Sequence, residues 1–211
     1  MRRLEGKVAV ISGTAGGIGA ATARRLSSEG AKVVLADINI EGAQATAEMV
    51  DGVAMSADVS REEDIQRVIE ETESNVGPID LFCSNAGVGM GERINSPNQE
   101  WQMSWDINVM SHVYAARHLL PLMVARGGGY FLNTSSAAGL LNQIGGAAYG
   151  VTKHAAVGFG EWLAIHHKHE GVKVSMLCPQ AVRTPMTETD NDATAAAASN
   201  GMIEPEELCD T

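Results

Sequence analysis

The stretch Val8-Ala9-Val10-Ile11-Ser12-Gly13-Thr14-Ala15-Gly16-Gly17-Ile18-Gly19 decides the fold of this chain. Its apolar first half is typical of a buried strand, and the glycines that follow lead into a helical pattern. Glycines allow a tight turn and a close approach of the backbone to a phosphate, and a helix N-terminus offers unpaired N–H donors. The segment therefore predicts a site for the pyrophosphate of a dinucleotide, with a plain glycine-rich turn as the alternative. A P-loop is excluded because no Lys-Ser or Lys-Thr follows Gly19.

Short apolar segments alternate with longer helical patterns along the rest of the chain. Strands are predicted at 8–12, 32–37, 52–56, 79–84, 129–135 and 173–178, and helices near 17–29, 41–50, 61–76, 98–126 and 149–170. This alternation predicts an α/β fold with three layers, a doubly wound and mostly parallel sheet covered by helices on both faces. We interpret residues 1–211 as a single domain. The polar, Ala-rich part near 186–203 is predicted to be a mobile segment over the substrate, or else a short helix.

Composition and charge exclude several classes of protein. With 211 residues the chain can bury a core without disulfides or metals. A net charge of −11 argues against non-specific binding to nucleic acid and against docking on anionic membranes. Three cysteines without a framework spacing indicate reduced thiols and a cytoplasmic location. The apolar run at 8–11 is too short for a signal peptide or a membrane span.

Tyr149 and Lys153 are four residues apart on a predicted helix, and Ser136 precedes Tyr149 by thirteen residues. Residues at i and i+4 share a helix face, so the lysine charge is expected to lower the pKa of the phenol. A phenol, an ammonium and a hydroxyl are the groups needed to move a proton to or from a carbonyl oxygen. An ordinary helix surface is the alternative for the pair taken alone.

Asp37 ends the second predicted strand, eighteen residues after Gly19. In a dinucleotide fold an acid at this place accepts hydrogen bonds from the adenosine ribose and repels a 2′-phosphate. Ile38 is apolar, and no Lys or Arg lies between Gly13 and Gly19, so nothing there neutralises a phosphate. These residues favour NAD over NADP. A helix-capping role for Asp37 is the alternative.

Taken in order, the motifs of this chain resemble the short-chain dehydrogenase/reductase family from the first strand to about Pro185. The glycine loop is similar to Thr-Gly-x-x-x-Gly-x-Gly, with Ser12 in place of the threonine. Three further motifs resemble that family, namely Ser84-Asn85-Ala86-Gly87, Asn133-Thr134-Ser135-Ser136 and Pro179-Gln180-Ala181-Val182-Arg183-Thr184. The resemblance implies a Rossmann fold in which Asn108, Ser136, Tyr149 and Lys153 are catalytic. It implies that NAD contacts Gly13, Gly17, Ile18, Gly19, Asp37, Asp58, Val59, Asn85, Ala86, Gly87, Tyr149, Lys153, Pro179 and Thr184.

The resemblance also implies a reaction, hydride transfer between NAD(H) and the carbon of an alcohol or ketone. Tyr149 is expected to be the general acid/base, Ser136 to hold the substrate oxygen, and Lys153 to bind the nicotinamide ribose. Asn108 is expected to hold a water that passes the proton onward. The expected substrate lining at 88–96, 137–146 and 186–202 carries few charges, which favours a neutral or apolar substrate. The competing hypothesis is an NAD-binding sensor or scaffold without turnover.

Two departures from the family and two further patterns complete the prediction. Gln180 replaces a glycine, and the family continues past Thr211 through a helix and an edge strand. The small residues Ala155, Ala156, Gly158 and Gly160 form, together with the 98–126 helix, a face that resembles the family's dimer interface. This resemblance implies a homodimer or homotetramer, with packing of the small residues on the sheet as the alternative. His166, His167 and His169 lack acidic and cysteine partners, so no metal is predicted, and their place near a helix end suits its dipole.

Overall fold

The computed structural model of the chain describes residues 3–187, 198 and 201–210. The segment predicted to be mobile near 186–203 falls mostly on residues 188–197, 199 and 200, which lie outside the described part. Within the described part, none of the helices combines the length and the apolarity that a membrane crossing needs.

The described strands form one six-stranded sheet in which every neighbouring pair is parallel. The strands are β1 Val8–Ser12, β2 Lys32–Asp37, β3 Val53–Ser56, β4 Ile79–Ser84, β5 Gly129–Thr134 and β6 Val172–Leu177. Their order is β3-β2-β1-β4-β5-β6, so the chain reverses direction across the sheet between β1 and β4. Ligands of open α/β sheets bind at the carboxyl ends of the strands beside such a reversal.

Helices cover both faces of this sheet. They are α1 Gly17–Ser28, α2 Ile40–Val50, α3 Glu62–Asn75, α4 Asn98–Trp105, α5 Ser111–Ala125, α6 Ala138–Leu141, α7 Ala147–His167 and α8 Pro205–Cys209. One core cluster joins the sheet to α3, α5 and α7, with Phe82 and Phe131 among its members. The other joins it to α1 and α2 through residues such as Ala23 and Ala47. The three-layer, doubly wound fold predicted from the sequence is confirmed.

The helix predicted at 98–126 is in fact three segments. A π-helical turn, Asp106–Met110, separates α4 from α5, and α5 contains Pro121. Single π turns interrupt the regular ladder and are frequent at functional sites. This turn carries Asn108, so the interruption lies at a residue that the sequence had singled out.

The short helix α8 lies against α1. Its N-terminus has a capping box formed by Glu204 and Glu207, with Pro205 at the first position. The Cys209 thiol lies 3.6 Å from the Thr22 hydroxyl, and Asp210 pairs with Arg25 at 3.2 Å. These contacts attach the last described residues to the first helix of the fold.

Candidate active site

The carboxyl ends of β1 and β4 are joined by the Ser12 hydroxyl. It accepts hydrogen bonds from the backbone N–H groups of Asn85 (3.0 Å) and Ala86 (3.2 Å). The Asn85 side-chain amide in turn donates to the carbonyls of Ser12 (3.1 Å) and Gly13 (3.2 Å). Asn85 therefore supports the glycine loop from behind. From the sequence, Ser12 was recognised only as a substitute for the family's threonine, and its role in joining β1 to β4 was not predicted.

Two glycines of the loop are required by close contacts. A Cβ on Gly13, which has a φ of +72°, would lie 2.8 Å from the Ala86 Cα. A Cβ on Gly19 would lie 2.0 Å from the Gly13 carbonyl oxygen and 2.8 Å from the Asn85 amide nitrogen. The N-cap of α1 is Gly16, which has no side chain that could occupy the N–H donors of the first turn. The loop thus fits a phosphate group, which those donors and the helix dipole attract.

Asp37 is held at the end of β2 by two backbone donors. Its carboxylate accepts from the N–H of Ala15 in the glycine loop (2.8 Å) and from the N–H of Asn39 (2.9 Å). The cap of α2 is Asn39, whose side chain accepts from Gly42 N–H at 3.1 Å. The alternative that Asp37 caps this helix is therefore wrong. The structure fixes a negative charge directly beside the glycine loop.

Asp58 and Val59 follow β3. The Asp58 carboxylate accepts from the backbone N–H (3.0 Å) and the hydroxyl (2.7 Å) of Ser60, which closes the turn before α3. Val59 is buried in the core cluster between the sheet and α3. Both residues lie outside the lining of the cleft that contains Gly13, Tyr149 and Lys153, as do Gly19, Asp37 and Asn108.

Lys153 is almost completely buried, and its ammonium donates to the Thr134 carbonyl at 3.2 Å. The Ser135 hydroxyl donates to the Lys153 carbonyl at 2.8 Å, which ties α7 to the end of β5. Burial lowers the pKa of Lys153 to about 8, and the nearby Cys178 thiol acts in the opposite direction. The sequence missed the supporting roles of Thr134 and Ser135, because both act through contacts far apart in the chain.

Tyr149 lies one helical turn before Lys153, whose ammonium is 5.6 Å from the centre of the phenol ring. Burial raises the pKa of Tyr149, and a hydrogen bond with Ser136 lowers it in part. The sequence predicted that Lys153 lowers the pKa of Tyr149, whereas the largest effect on this pKa is burial, which raises it. Ser136 is itself buried, and its hydroxyl oxygen accepts from the Ala138 N–H at 3.1 Å.

Asn108 connects the end of β4 to α7. Its carbonyl oxygen accepts from Val88 N–H (2.9 Å), and its amide donates to the Val88 carbonyl (3.0 Å) and the Thr152 hydroxyl (3.1 Å). Both amide hydrogens are therefore in use. Gly87 lies between the Lys153 ammonium and the side-chain oxygen of Asn108. A Cβ on Gly87 would be 3.1 Å from the ammonium and 3.2 Å from that oxygen.

These elements surround one cleft at the carboxyl end of the sheet. It brings together most of the residues predicted from the sequence, namely Gly13, Gly17, Ile18, Asn85, Ala86, Gly87, Ser136, Tyr149, Lys153, Pro179 and Thr184. It also contains Met186 and Thr187 from the predicted substrate lining and Gln180, the residue that replaces the family's glycine. The sequence had not assigned the remaining lining residues to the site, namely Gly16, Thr134, Ser135, Val182 and Pro185. Gly17 and Thr184 face each other across it, since a Cβ on Gly17 would lie 3.0 Å from the Thr184 methyl.

Comparison with known proteins gives a consistent result. A family model described as short chain dehydrogenase matches residues 7–195. The short chain aldehyde dehydrogenase 1 of Euphorbia lathyris is 35% identical over 195 residues, which cover 89% of this chain and 68% of that protein. The chain spans between 64 and 76% of the length of the curated relatives it matches.

Two solved structures are similar over almost the whole chain. A short chain dehydrogenase/reductase from Burkholderia phymatum, in complex with NAD, has a TM-score of 0.89 and 28% identity, covering 100% of this chain and 85% of that one. The L-sorbose reductase of Gluconobacter frateurii, in complex with NADPH, has a TM-score of 0.86 and 30% identity, covering 98% of this chain and 88% of that one.

Proposed function

We propose that this chain, which belongs to the short chain dehydrogenase family, transfers a hydride between NAD(H) and the alcohol or ketone carbon of a neutral or apolar substrate. The family is one of oxidoreductases that use a nicotinamide cofactor. The observation that carries the proposal is the grouping of Ser136, Tyr149 and Lys153 on the cleft that the glycine loop also lines. Hydride transfer needs both groups of residues in one cleft, because a hydride acceptor and a proton acceptor must meet at one substrate.

The choice of NAD is supported by Asp37. Its carboxylate is anchored by two backbone N–H groups and cannot easily turn away from the cofactor. A fixed carboxylate accepts hydrogen bonds from ribose hydroxyls and repels a 2′-phosphate. Because similar structures hold either NAD or NADPH, the preference rests on this residue of the chain and not on the fold.

In the direction of alcohol oxidation, NAD supplies the acceptor for the hydride that leaves the carbinol carbon. The alcohol proton moves to the Tyr149 oxygen, which acts as general base, while the Ser136 hydroxyl donates to the substrate oxygen. The Lys153 ammonium stabilises the phenolate by its charge. Since burial raises the pKa of Tyr149, alcohol oxidation is expected to rise with pH through the neutral range.

Asn108 is proposed to act in this reaction by position. Its side chain fixes Val88 after β4 and Thr152 beside Lys153, and both of its amide hydrogens are in use. A water held by Asn108 would therefore donate a hydrogen bond to its side-chain oxygen or to its backbone carbonyl, because the amide hydrogens are not free.

A neutral or apolar substrate is supported by Met186, which lines the cleft, and by apolar side chains of the segment between the two cleft residues Ser136 and Tyr149. Leu140 and Leu141 on α6, Ile144 after it and Met186 are between 45 and 84% exposed. Exposed apolar side chains beside a catalytic cleft favour apolar ligands.

A homodimer or homotetramer is proposed from the outer face of α7. Ala156 and Gly160 pack inward, and a Cβ on Gly160 would lie 2.1 Å from the Met176 sulfur. Two of the four small residues predicted for the interface therefore pack against the sheet. The outward face carries Val151, Gly158, Trp162 and Ile165, whose three large side chains are 49 to 75% exposed. Apolar residues at this helical spacing are typical of a helix-to-helix interface. The cytoplasmic location stays a prediction from the cysteines.

The test is to mix the protein with NAD⁺ or NADP⁺ and a panel of neutral secondary alcohols while following absorbance of the reduced nicotinamide. The proposal predicts reduction of NAD⁺ by at least one alcohol and a clear preference over NADP⁺. If NAD(H) binds in equilibrium titrations but no alcohol or ketone of the panel reacts, the sensor hypothesis is favoured instead. If neither cofactor binds, both hypotheses fail.

A further inference from the structure

Four buried polar atoms lie together beneath the carboxyl end of the sheet. They are the Ser84 hydroxyl, both ring nitrogens of His112 and the Asn133 amide nitrogen, and none has a hydrogen-bonding partner among the described residues. The three side chains are 1 to 2% exposed. Most buried polar atoms in proteins are paired with protein or with ordered water, so a cluster of unpaired ones points to bound water.

The fold places these side chains on one face. Ser84 on β4 and Asn133 on β5 are paired in register. Phe82 and Phe131, two residues earlier on the same strands, belong to the core cluster that joins the sheet to α5. Because strand side chains alternate, Ser84 and Asn133 also face α5, the helix that carries His112. A cavity of about 10 Å³, room for about one water, borders the Ser84 end of this cluster beside Ser111. The rest of its lining is mostly apolar and includes neither His112 nor Asn133.

Lys153 is the charged group that faces this cluster. Burial and, to a smaller extent, the Lys153 ammonium lower the pKa of His112 to about 3, and the nearby Asn133 side chain acts in the opposite direction, although no hydrogen bond of ordinary geometry joins the two side chains. The ring is therefore neutral at neutral pH, with one nitrogen that accepts and one that donates. Lys153 has three donors, of which Thr134 takes one.

We propose that Ser84, His112 and Asn133 form a buried water-binding pocket behind Lys153, and that His112 is a positioning residue that holds this water against the ammonium. The water accepts from Lys153 and donates to the free ring nitrogen. Lys153 thereby regains part of the solvation that burial removes, and its charge is kept at a higher pH. The consequence for catalysis rests on the proposed function, whereas the pocket itself does not.

The direct test is the pKa of Lys153, measured in the full-length protein without cofactor by ¹³Cε lysine NMR, with Lys153→Arg used to assign the signal. His112→Leu removes the acceptor and should lower the pKa of Lys153 by about one unit, because a hydrogen bond to a charged group has about that value. His112→Gln keeps a hydrogen-bonding side chain and should restore most of the value. The matched control, His118→Leu on the same helix, replaces a histidine that pairs with Glu62 and should leave it unchanged.

An unchanged or raised Lys153 pKa in a folded His112→Leu protein would overturn the inference. If that variant does not fold, Ser84→Ala takes its place, and an unchanged Lys153 pKa there has the same meaning. The kinetic readout is the alkaline limb of the pH profile, which should move to lower pH in His112→Leu and return in His112→Gln. A wild-type protein without turnover would sink the proposed function alone, since the NMR measurement needs no activity.

Discussion

The glycine loop and the catalytic groups share one cleft, yet the chain makes them in opposite ways. In the loop, backbone N–H groups are the proposed ligand-binding groups. Side chains are excluded there by contacts as close as the 2.0 Å between a Cβ on Gly19 and the Gly13 oxygen. On α7 and at the end of β5, side chains are the proposed catalytic groups. Burial shifts their pKa values, to about 8 for Lys153 and upward for Tyr149. The first region is sensitive to volume and the second to charge.

This difference explains why the two regions should fail separately. A phosphate site made from N–H donors needs only the right backbone, so a change there weakens binding of the cofactor. A proton-transfer site needs one titratable oxygen at the right pKa, so a change there stops turnover while the cofactor still binds. Substitutions in the loop should therefore change cofactor affinity, and substitutions among the catalytic side chains should change turnover.

The largest effect is expected from Tyr149→Phe. The variant keeps the ring but loses the only oxygen proposed to exchange a proton with the substrate, so kcat should fall by about 10²–10⁴-fold. Its affinity for NADH should stay within about twofold of wild type, because the glycine loop is untouched. Steady-state rates and fluorescence titration with NADH measure the two quantities. A variant with near-normal kcat would remove Tyr149 from the mechanism.

A smaller loss, in the other region, is expected from Gly19→Ala. The new methyl overlaps the Gly13 carbonyl and the Asn85 amide, so the loop must shift. The backbone N–H groups of the loop then no longer point at the phosphate. Affinity for NADH should fall by about 10- to 100-fold, the value of one or two hydrogen bonds to a charged group. Gly89→Ala is the control, because open space surrounds that position and it lies outside the lining of the cleft. Equal losses in both variants would contradict the steric role of Gly19.

The smallest effect is expected from Asp37→Ala, which changes preference more than rate. The NAD/NADP ratio of kcat/KM should fall by about tenfold or more, since the carboxylate no longer binds the ribose or repels the 2′-phosphate. Turnover of saturated enzyme should change little, because Asp37 lies outside the catalytic cleft lining. A ratio that does not change would mean that another residue sets the preference.

The sequence predicted the fold well because the deciding signals are local. Each predicted strand coincides with an observed one to within one residue at either end, since strands such as β1 are apolar runs buried on both faces. Gly13 and Gly19 could also be recognised, because a glycine cluster between a strand and a helix has few other uses.

What the sequence could not provide depends on depth and on distant contacts. The π turn carries Asn108, whose side chain donates to Val88 and Thr152, 20 and 44 residues away in the chain. The sequence predicted a lower pKa for Tyr149 from the spacing of Lys153, but burial has the larger effect and raises it. Nothing in the pattern marked His112, whose interest lies only in being buried beside Lys153.

The most direct measurement follows the hydride itself. A secondary alcohol that the protein oxidises is prepared with deuterium at its carbinol carbon, and the reduced cofactor is analysed by mass spectrometry. The account predicts one deuterium in each NADH formed by the wild-type protein, and formation of that product about 10²–10⁴-fold more slowly with Tyr149→Phe. Reduced cofactor without deuterium, or deuterated cofactor formed equally well without the Tyr149 oxygen, would contradict it.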